Sequence, residues 1–194
     1  MQFKKGYIYH IYNRGNNLGR IFFTRENYLY FLNKIRNHLL PYCSILAWCL
    51  MPKDFHLIIY VHHLKVENRK ESINGSYGKM LSSYARAIQN QENKMGSIFQ
   101  KHTKFICLND EKPKNYSNWK NEFGNSITLI DKTKSYPQIC FDYIHLLPIH
   151  SQNISSPDEW EFSSYRDYQG LRNGKLVNFK LAEKELGIKR KVLD

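Results

Sequence analysis

The stretch Leu50-Met51-Pro52-Lys53-Asp54-Phe55-His56-Leu57-Ile58-Ile59-Tyr60-Val61 leaves the chain few ways to fold. Side chains alternate along a strand, so Asp54, His56, Ile58 and Tyr60 point one way and Phe55, Leu57, Ile59 and Val61 the other. The second set is wholly apolar and must be covered. The first carries a carboxylate and an imidazole two residues apart, about 7 Å along an extended chain, near enough for both to converge on one divalent ion. An acid and a histidine on one face of a strand are also commonplace on ordinary solvent faces. Just before them, Cys43 to Met51 is apolar on both sides, as in a central strand, and Pro52-Lys53 is short enough to turn it back at Asp54. The sequence predicts a hairpin with a candidate metal pair at its root.

The rest of the chain supplies partners for that hairpin. Tyr7 to Arg14 reads as a first strand ended by the turn-forming Asn13-Arg14-Gly15-Asn16-Asn17. Thr24 suits a helix cap, and Tyr28, Phe31, Leu32, Ile35 and Leu39 recur at helical spacing until Pro41. Lys65 to Ser76 reads as a charged, mobile linker. A second helix is expected from about Tyr77 to Asn93, with Met80, Leu81, Tyr84, Ala87 and Ile88 as its buried stripe. Ser97 to Leu108 reads as extended and basic. Asn109 to Lys134 is polar and reads as an insertion, apart from a short strand at Ile127 to Ile130. From Tyr136 a third helix carries Cys140, Phe141, Ile144 and Leu147 on one side until Pro148 ends or kinks it. An aromatic cluster, Trp160, Phe162, Tyr165 and Tyr168, precedes a last amphipathic segment from Asn178 to Leu186. The order strand, helix, strand, strand, helix, strand predicts an α+β fold: a ferredoxin-like antiparallel sheet with helices on one face, followed by the helix carrying Tyr143 and a C-terminal extension. The expected division is one domain over residues 1–172, with its insertion at about 109–134, and a tail over 173–194 holding a short helix.

Composition narrows the function classes. A hydrophobic fraction of 42% and an aromatic fraction of 14% exclude a disordered chain, and no run reaches the roughly 18 apolar residues that span a bilayer. The start has neither a long apolar core nor a small-residue cleavage site, so a cytoplasmic location is expected. Cys43, Cys49, Cys107 and Cys140 form no C-x-x-C pair, which favours free thiols. The net charge of +12 is dispersed among aromatic residues. Nucleic acid suits such a surface, because cations meet phosphates and rings stack on bases.

Several separate segments then carry a resemblance. Tyr9-His10-Ile11-Tyr12-Asn13-Arg14-Gly15, Ile21-Phe22-Phe23, Leu50-Met51-Pro52 leading to His56-Leu57, Leu81 to Ile88, Gly96 to Lys101, Tyr143-Ile144-His145 with Pro148, and Asp158 to Tyr165 stand in an order that closely resembles the REP-associated tyrosine transposases. These are relatives of the single-tyrosine HUH transposases. The resemblance spans roughly residues 6 to 172. It implies metal-assisted tyrosine transesterification on single-stranded or hairpin DNA, with His56 as a ligand for Mg or Mn and Tyr143 as the nucleophile that forms a 5′-phosphotyrosine. Two positions depart from the family pattern. Asp54 stands where the first metal histidine belongs, and Leu147 where a polar Asn is expected. A carboxylate is a good ligand for hard cations, yet its added charge lowers their Lewis acidity. Leu147 offers no ligand, and His150, seven residues after Tyr143 on the same helical face, is a candidate to replace it, although Pro148 lies between them.

For DNA contacts the sequence offers Asn13, Arg14, Arg86, Lys101, His102 and Lys104, with Asn13 able either to contact a base edge or to cap its own turn, and a monomer or homodimer would serve. Tyr84 is a rival nucleophile, although it falls in the apolar stripe of its helix. Two alternatives stay open: a hairpin-binding protein that has lost cleavage, and an RNA-binding module, since such sheets also stack single-stranded RNA.

Overall fold

The computed structural model describes residues 2–110, 119–120, 126–127, 133–152 and 154–192. Its elements are β1 (Ile8–Arg14), α1 (Arg25–His38), β2 (Cys43–Met51), β3 (Asp54–Val61), α2 (Ile73–Glu92), β4 (Lys104–Cys107), β5 (Trp119–Lys120), β6 (Ser126–Ile127), α3 (Tyr136–Gln152), α4 (Tyr165–Tyr168) and α5 (Phe179–Leu186). The main sheet runs β2-β3-β1-β4 with every neighbour antiparallel, which is the strand order of the expected ferredoxin-like fold. β5 and β6, which follow β4 in the chain, form a separate two-stranded pair. Of the strand expected there only Ile127 is described, and 128–130 lie outside the described residues.

Two residues suffice to turn β2 into β3, and that turn is fastened to the end of β1. The carbonyls of Lys53 and Pro52 accept from the backbone N–H of Gly15 at 2.7 Å and of Ile21 at 2.8 Å. α1 starts where the side-chain oxygen of Asn27 accepts from the backbone N–H of Phe23 and Thr24 at 3.0 and 3.1 Å. Two orphan donors at the helix start are thereby satisfied.

α1 and α2 lie on the Phe55 face of the sheet. Ring centroids of Phe31 and Phe55 are 4.9 Å apart, Phe31 and Tyr84 also 4.9 Å, and Phe55 and Phe99 6.0 Å. Tyr84 spends its hydroxyl on the carbonyl of Ile21 at 2.7 Å, within the core. That removes it as a rival nucleophile.

Three expectations are corrected. α2 begins at Ile73, four residues earlier than its periodicity suggested, because the Ser72 side chain caps it by accepting from Gly75 N and because Ile73 and Ser76 extend the buried stripe of Tyr77, Met80 and Tyr84. The stretch read as a mobile linker is held in place: Lys65 pairs with Ser72, the Tyr42 hydroxyl donates to Glu71 O at 2.8 Å, and the Ser76 hydroxyl donates to His38 O at 2.8 Å. α3 continues through Pro148 to Gln152. A proline removes one backbone donor and crowds the preceding turn, and here Pro148 is itself buried one turn after buried Ile144, so packing offsets that cost.

The helices also cover both faces of the sheet. Phe55 and His56 point oppositely, and α3 lies over the His56 side, with the segment from Trp160 to Leu186 beside it. That segment closes the open edge of β2: Leu50 N donates to Phe162 O at 2.8 Å, Ser164 N to Trp48 O at 2.9 Å, and Asn178 N to Ile45 O at 2.9 Å. An exposed strand edge is a template for unwanted pairing, so this cover protects it. Among the described residues, no helix is long and apolar enough to cross a membrane.

Candidate active site and nucleic-acid cleft

β1 contributes Ile8, His10, Tyr12 and Arg14 to the same face as Asp54 and His56, because Tyr12 opposes His56 and Arg14 opposes Asp54 in the β1–β3 register. His10 is therefore a diagonal neighbour of His56. Their rings meet: His10 Nε2 and His56 Nδ1 are 3.0 Å apart and share one hydrogen bond. On the far side of the His56 ring, Nε2 is 3.4 Å from Asp54 Oδ1. Tyr12 stacks nearly parallel to His56, 7° between planes and 5.3 Å between centroids. From β2, Cys49 opposes His56 and Met51 opposes Asp54, with their sulfurs 3.6 Å apart.

Burial sets the electrostatics. Only 1% of His10 is exposed, and desolvation first, then the neighbouring His56, pushes its imidazole well below the ordinary histidine range, so it stays neutral near pH 7. The Cys49 thiol is driven up by burial and then by the charge of Asp54, which keeps it protonated.

α3 brings Tyr143 to this cluster. Its ring stands edge-on to both imidazoles, 6.0 Å from His56 at 76° and 6.4 Å from His10 at 75°. Only 6% of Tyr143 is exposed. Leu147, one turn further on the same side, packs against the core. The side chain of His150 lies outside the described residues. His145 turns the other way, its Nε2 2.7 Å from the Ser164 hydroxyl, and burial lowers its pKa to about 3. Since Ser164 Oγ also accepts from Trp48 N at 2.9 Å, His145 fastens α3 to β2 through the C-terminal segment.

The donor set can be tested against a divalent ion. Asp54 Oδ1 is buried without a hydrogen-bond partner, and the 3.4 Å to His56 Nε2 is close to the roughly 3 Å between adjacent donors on a cation with bonds of about 2.1 Å. Two donors fit. Among the described residues, no group of three His, Cys, Asp or Glu gathers around such a position. A hard cation that takes few protein ligands completes its shell with phosphate oxygens and water, so the pair suits an ion held jointly with a nucleic-acid backbone.

Beside this cluster, and sharing Tyr12 with it, opens a surface cleft lined by Tyr12, Asn13, Arg14, Gln100, His102 and Lys104. Four of the six sequence-predicted DNA contacts meet there. Asn13 is engaged within the protein: its Nδ2 donates to Gln100 O at 3.2 Å and Thr103 Oγ1 at 3.0 Å, and its Oδ1 accepts from Arg14 N at 2.7 Å, so it shapes the cleft wall. Lys101 is exposed in the same loop. Arg86 is exposed on α2, the helix of the opposite sheet face, and is not brought together with the others. His10 and Tyr12 were missed as site residues. The signal was present in the alternation of β1, but only its register against β3 gives that alternation a meaning.

No protein-family model matches the chain, and no curated protein does. Among solved structures, one described as a REP-associated tyrosine transposase bound to a REP hairpin is similar over 100% of this chain and 97% of that one, with a TM-score of 0.57 and 13% identity. The two share a fold. A bacterial tRNA(His) guanylyltransferase-like protein in complex with GTP aligns over 76% of this chain and 72% of that one, at a TM-score of 0.36 and 7% identity, too distant to bear on topology.

Proposed function

We propose that the protein binds single-stranded or hairpin DNA along its basic cleft and cleaves and rejoins it through Tyr143, as a transposase-like enzyme of the cytoplasm. The observation that carries this reading is the convergence of Tyr143, from α3, on His10 and His56, with Asp54 3.4 Å beyond and the cationic cleft adjoining. The solved structure with the same fold was determined with a hairpin bound. Arg14, Lys101, His102 and Lys104 hold the phosphates, and Tyr12 offers a ring at the boundary between cleft and cluster.

In the reaction, the Tyr143 phenol oxygen forms a bond to phosphorus while the bond from phosphorus to the 3′ oxygen breaks. The phenol gives up its proton and the departing 3′ oxygen takes one, leaving a 5′-phosphotyrosine and a free 3′-hydroxyl. An ordinary phenol has a pKa near 10, so its proton needs a nearby acceptor. Asp54 and His56 would hold Mg or Mn, which, when bound, neutralises charge developing on the phosphate.

A second reading, hairpin binding without cleavage, is favoured by Leu147 in place of a polar ligand and by the burial of Tyr143. One experiment separates the two. A labelled hairpin with a single-stranded flank is incubated with the protein and Mn, and a covalent adduct absent from Tyr143→Phe is expected; binding with no adduct establishes the second reading.

A further inference from the structure

Neutral imidazole carries one ring proton, so the 3.0 Å contact between His10 Nε2 and His56 Nδ1 admits two arrangements. In one, His10 Nε2–H donates, and the proton of His56 sits on Nε2, facing the Asp54 carboxylate at 3.4 Å. In the other, His56 Nδ1–H donates to His10, whose own proton moves to Nδ1, and the Nε2 of His56 presents a lone pair beside Asp54. The proton count is the same in both. Only the second leaves two electron-pair donors side by side.

We propose that His10 is the positioning residue that selects this second arrangement, its Nε2 accepting the Nδ1 proton of His56 so that His56 Nε2 and Asp54 Oδ1 together receive a divalent cation. The proposal rests on reading Asp54 and His56 as cation donors. The fold places His10 for this purpose: it is on the strand beside β3, one diagonal step from His56, with Tyr12 stacked against both rings at 4.9 and 5.3 Å and Tyr143 closing them from above. Rings so enclosed are packed on both sides by aromatic neighbours. One freedom left to them is which nitrogen holds the proton. A partner on the second nitrogen of a ligating imidazole fixes both its orientation and its tautomer, and removing such a partner typically weakens metal binding by about 10- to 100-fold.

The test starts with the unaltered protein. Long-range proton–nitrogen NMR of 15N-histidine protein, recorded with and without Mg, identifies the protonated nitrogen of each ring. In Mg, His56 is expected as the Nδ1–H tautomer with its Nε2 resonance shifted; Nε2–H on His56 in the Mg-bound protein overturns the proposal. Mn affinity is then measured by electron paramagnetic resonance for His10→Phe and His10→Gln, each first shown to be folded by circular dichroism. A loss of about 10-fold or more in His10→Phe with recovery in His10→Gln, whose amide oxygen can accept the same proton, is the expected outcome. Wild-type affinity in His10→Phe refutes the role of His10 and leaves the Asp54–His56 pair standing. Absence of Mn or Mg binding by the wild type, unchanged in Asp54→Asn, removes the pair and this inference together.

Discussion

Phe55 and His56 are consecutive in β3, yet they face two different kinds of interior. On the Phe55 side, Phe31, Tyr84 and Phe99 close over the sheet with ring contacts of 4.9 to 6.4 Å, and the one hydroxyl among them has its carbonyl acceptor. On the His56 side the same sheet buries His10, His56 and Asp54 beneath Tyr143. Burying a polar group costs free energy unless its hydrogen bonds are replaced, and Asp54 Oδ1 has no such replacement. Stability alone accounts for the first face. The second retains groups that stability does not ask for, which is what marks it as a candidate site and not as a core.

The contrast can be broken by substitution. Phe55→Ala is expected to cost about 3–5 kcal/mol in urea unfolding, since it empties the middle of a ring cluster that cannot collapse around the gap. Acid separates the faces next. His145, on the polar side, has its pKa lowered to about 3, so above the ordinary value near 6.5 its buried neutral form carries no protonation penalty. As pH falls from 6.5 towards 3 the unfolded chain takes up a proton that the native chain does not, and stability declines by about 1.4 kcal/mol per pH unit for this residue. His10, also lowered, adds to the decline. His145→Asn should flatten the stability profile between pH 6 and 4 by about one proton, while Phe55→Ala should shift it without changing its slope.

Asp54→Leu is the sharper comparison. Removing a buried carboxylate without a hydrogen-bond partner should raise stability by about 1 kcal/mol while abolishing Mn binding. A destabilisation as large as that of Phe55→Ala would show that the two faces are cores of one kind. The smallest effect belongs to the cleft: Lys104→Ala should leave melting unchanged and reduce the slope of log affinity against log salt for single-stranded DNA by about 0.7. Arg86→Ala, on the other side of the sheet, serves as its control.

The hairpin was legible because its signals are local: alternation from Asp54, an apolar run before it, and a two-residue turn. Strand order followed from the succession of elements. What escaped depended on contacts remote in sequence. Ser72 is one polar residue among many until Ile73 and Ser76 are seen to be buried. Pro148 reads as a stop until its own burial is known. His10 acquires its partner only when β1 is laid against β3, 46 residues away. Asn13 reads as able to contact a base edge or cap its own turn, and its oxygen does accept from Arg14 N, but nothing in the sequence says that Gln100 and Thr103, 87 and 90 residues later, use its amide nitrogen.

The cover over the edge of β2 comes from the part of the chain that is made late. Trp48 waits 116 residues for Ser164, and that same serine is what His145 grips. During synthesis the βαββαβ portion can condense while its outermost ribbon is still bare and the rod that carries Tyr143 lacks the serine that His145 grips. A nascent chain halted before residue 160 should be prone to pairing through that bare edge, whereas one extended past Asn178 should close the edge and fasten the rod in a single step.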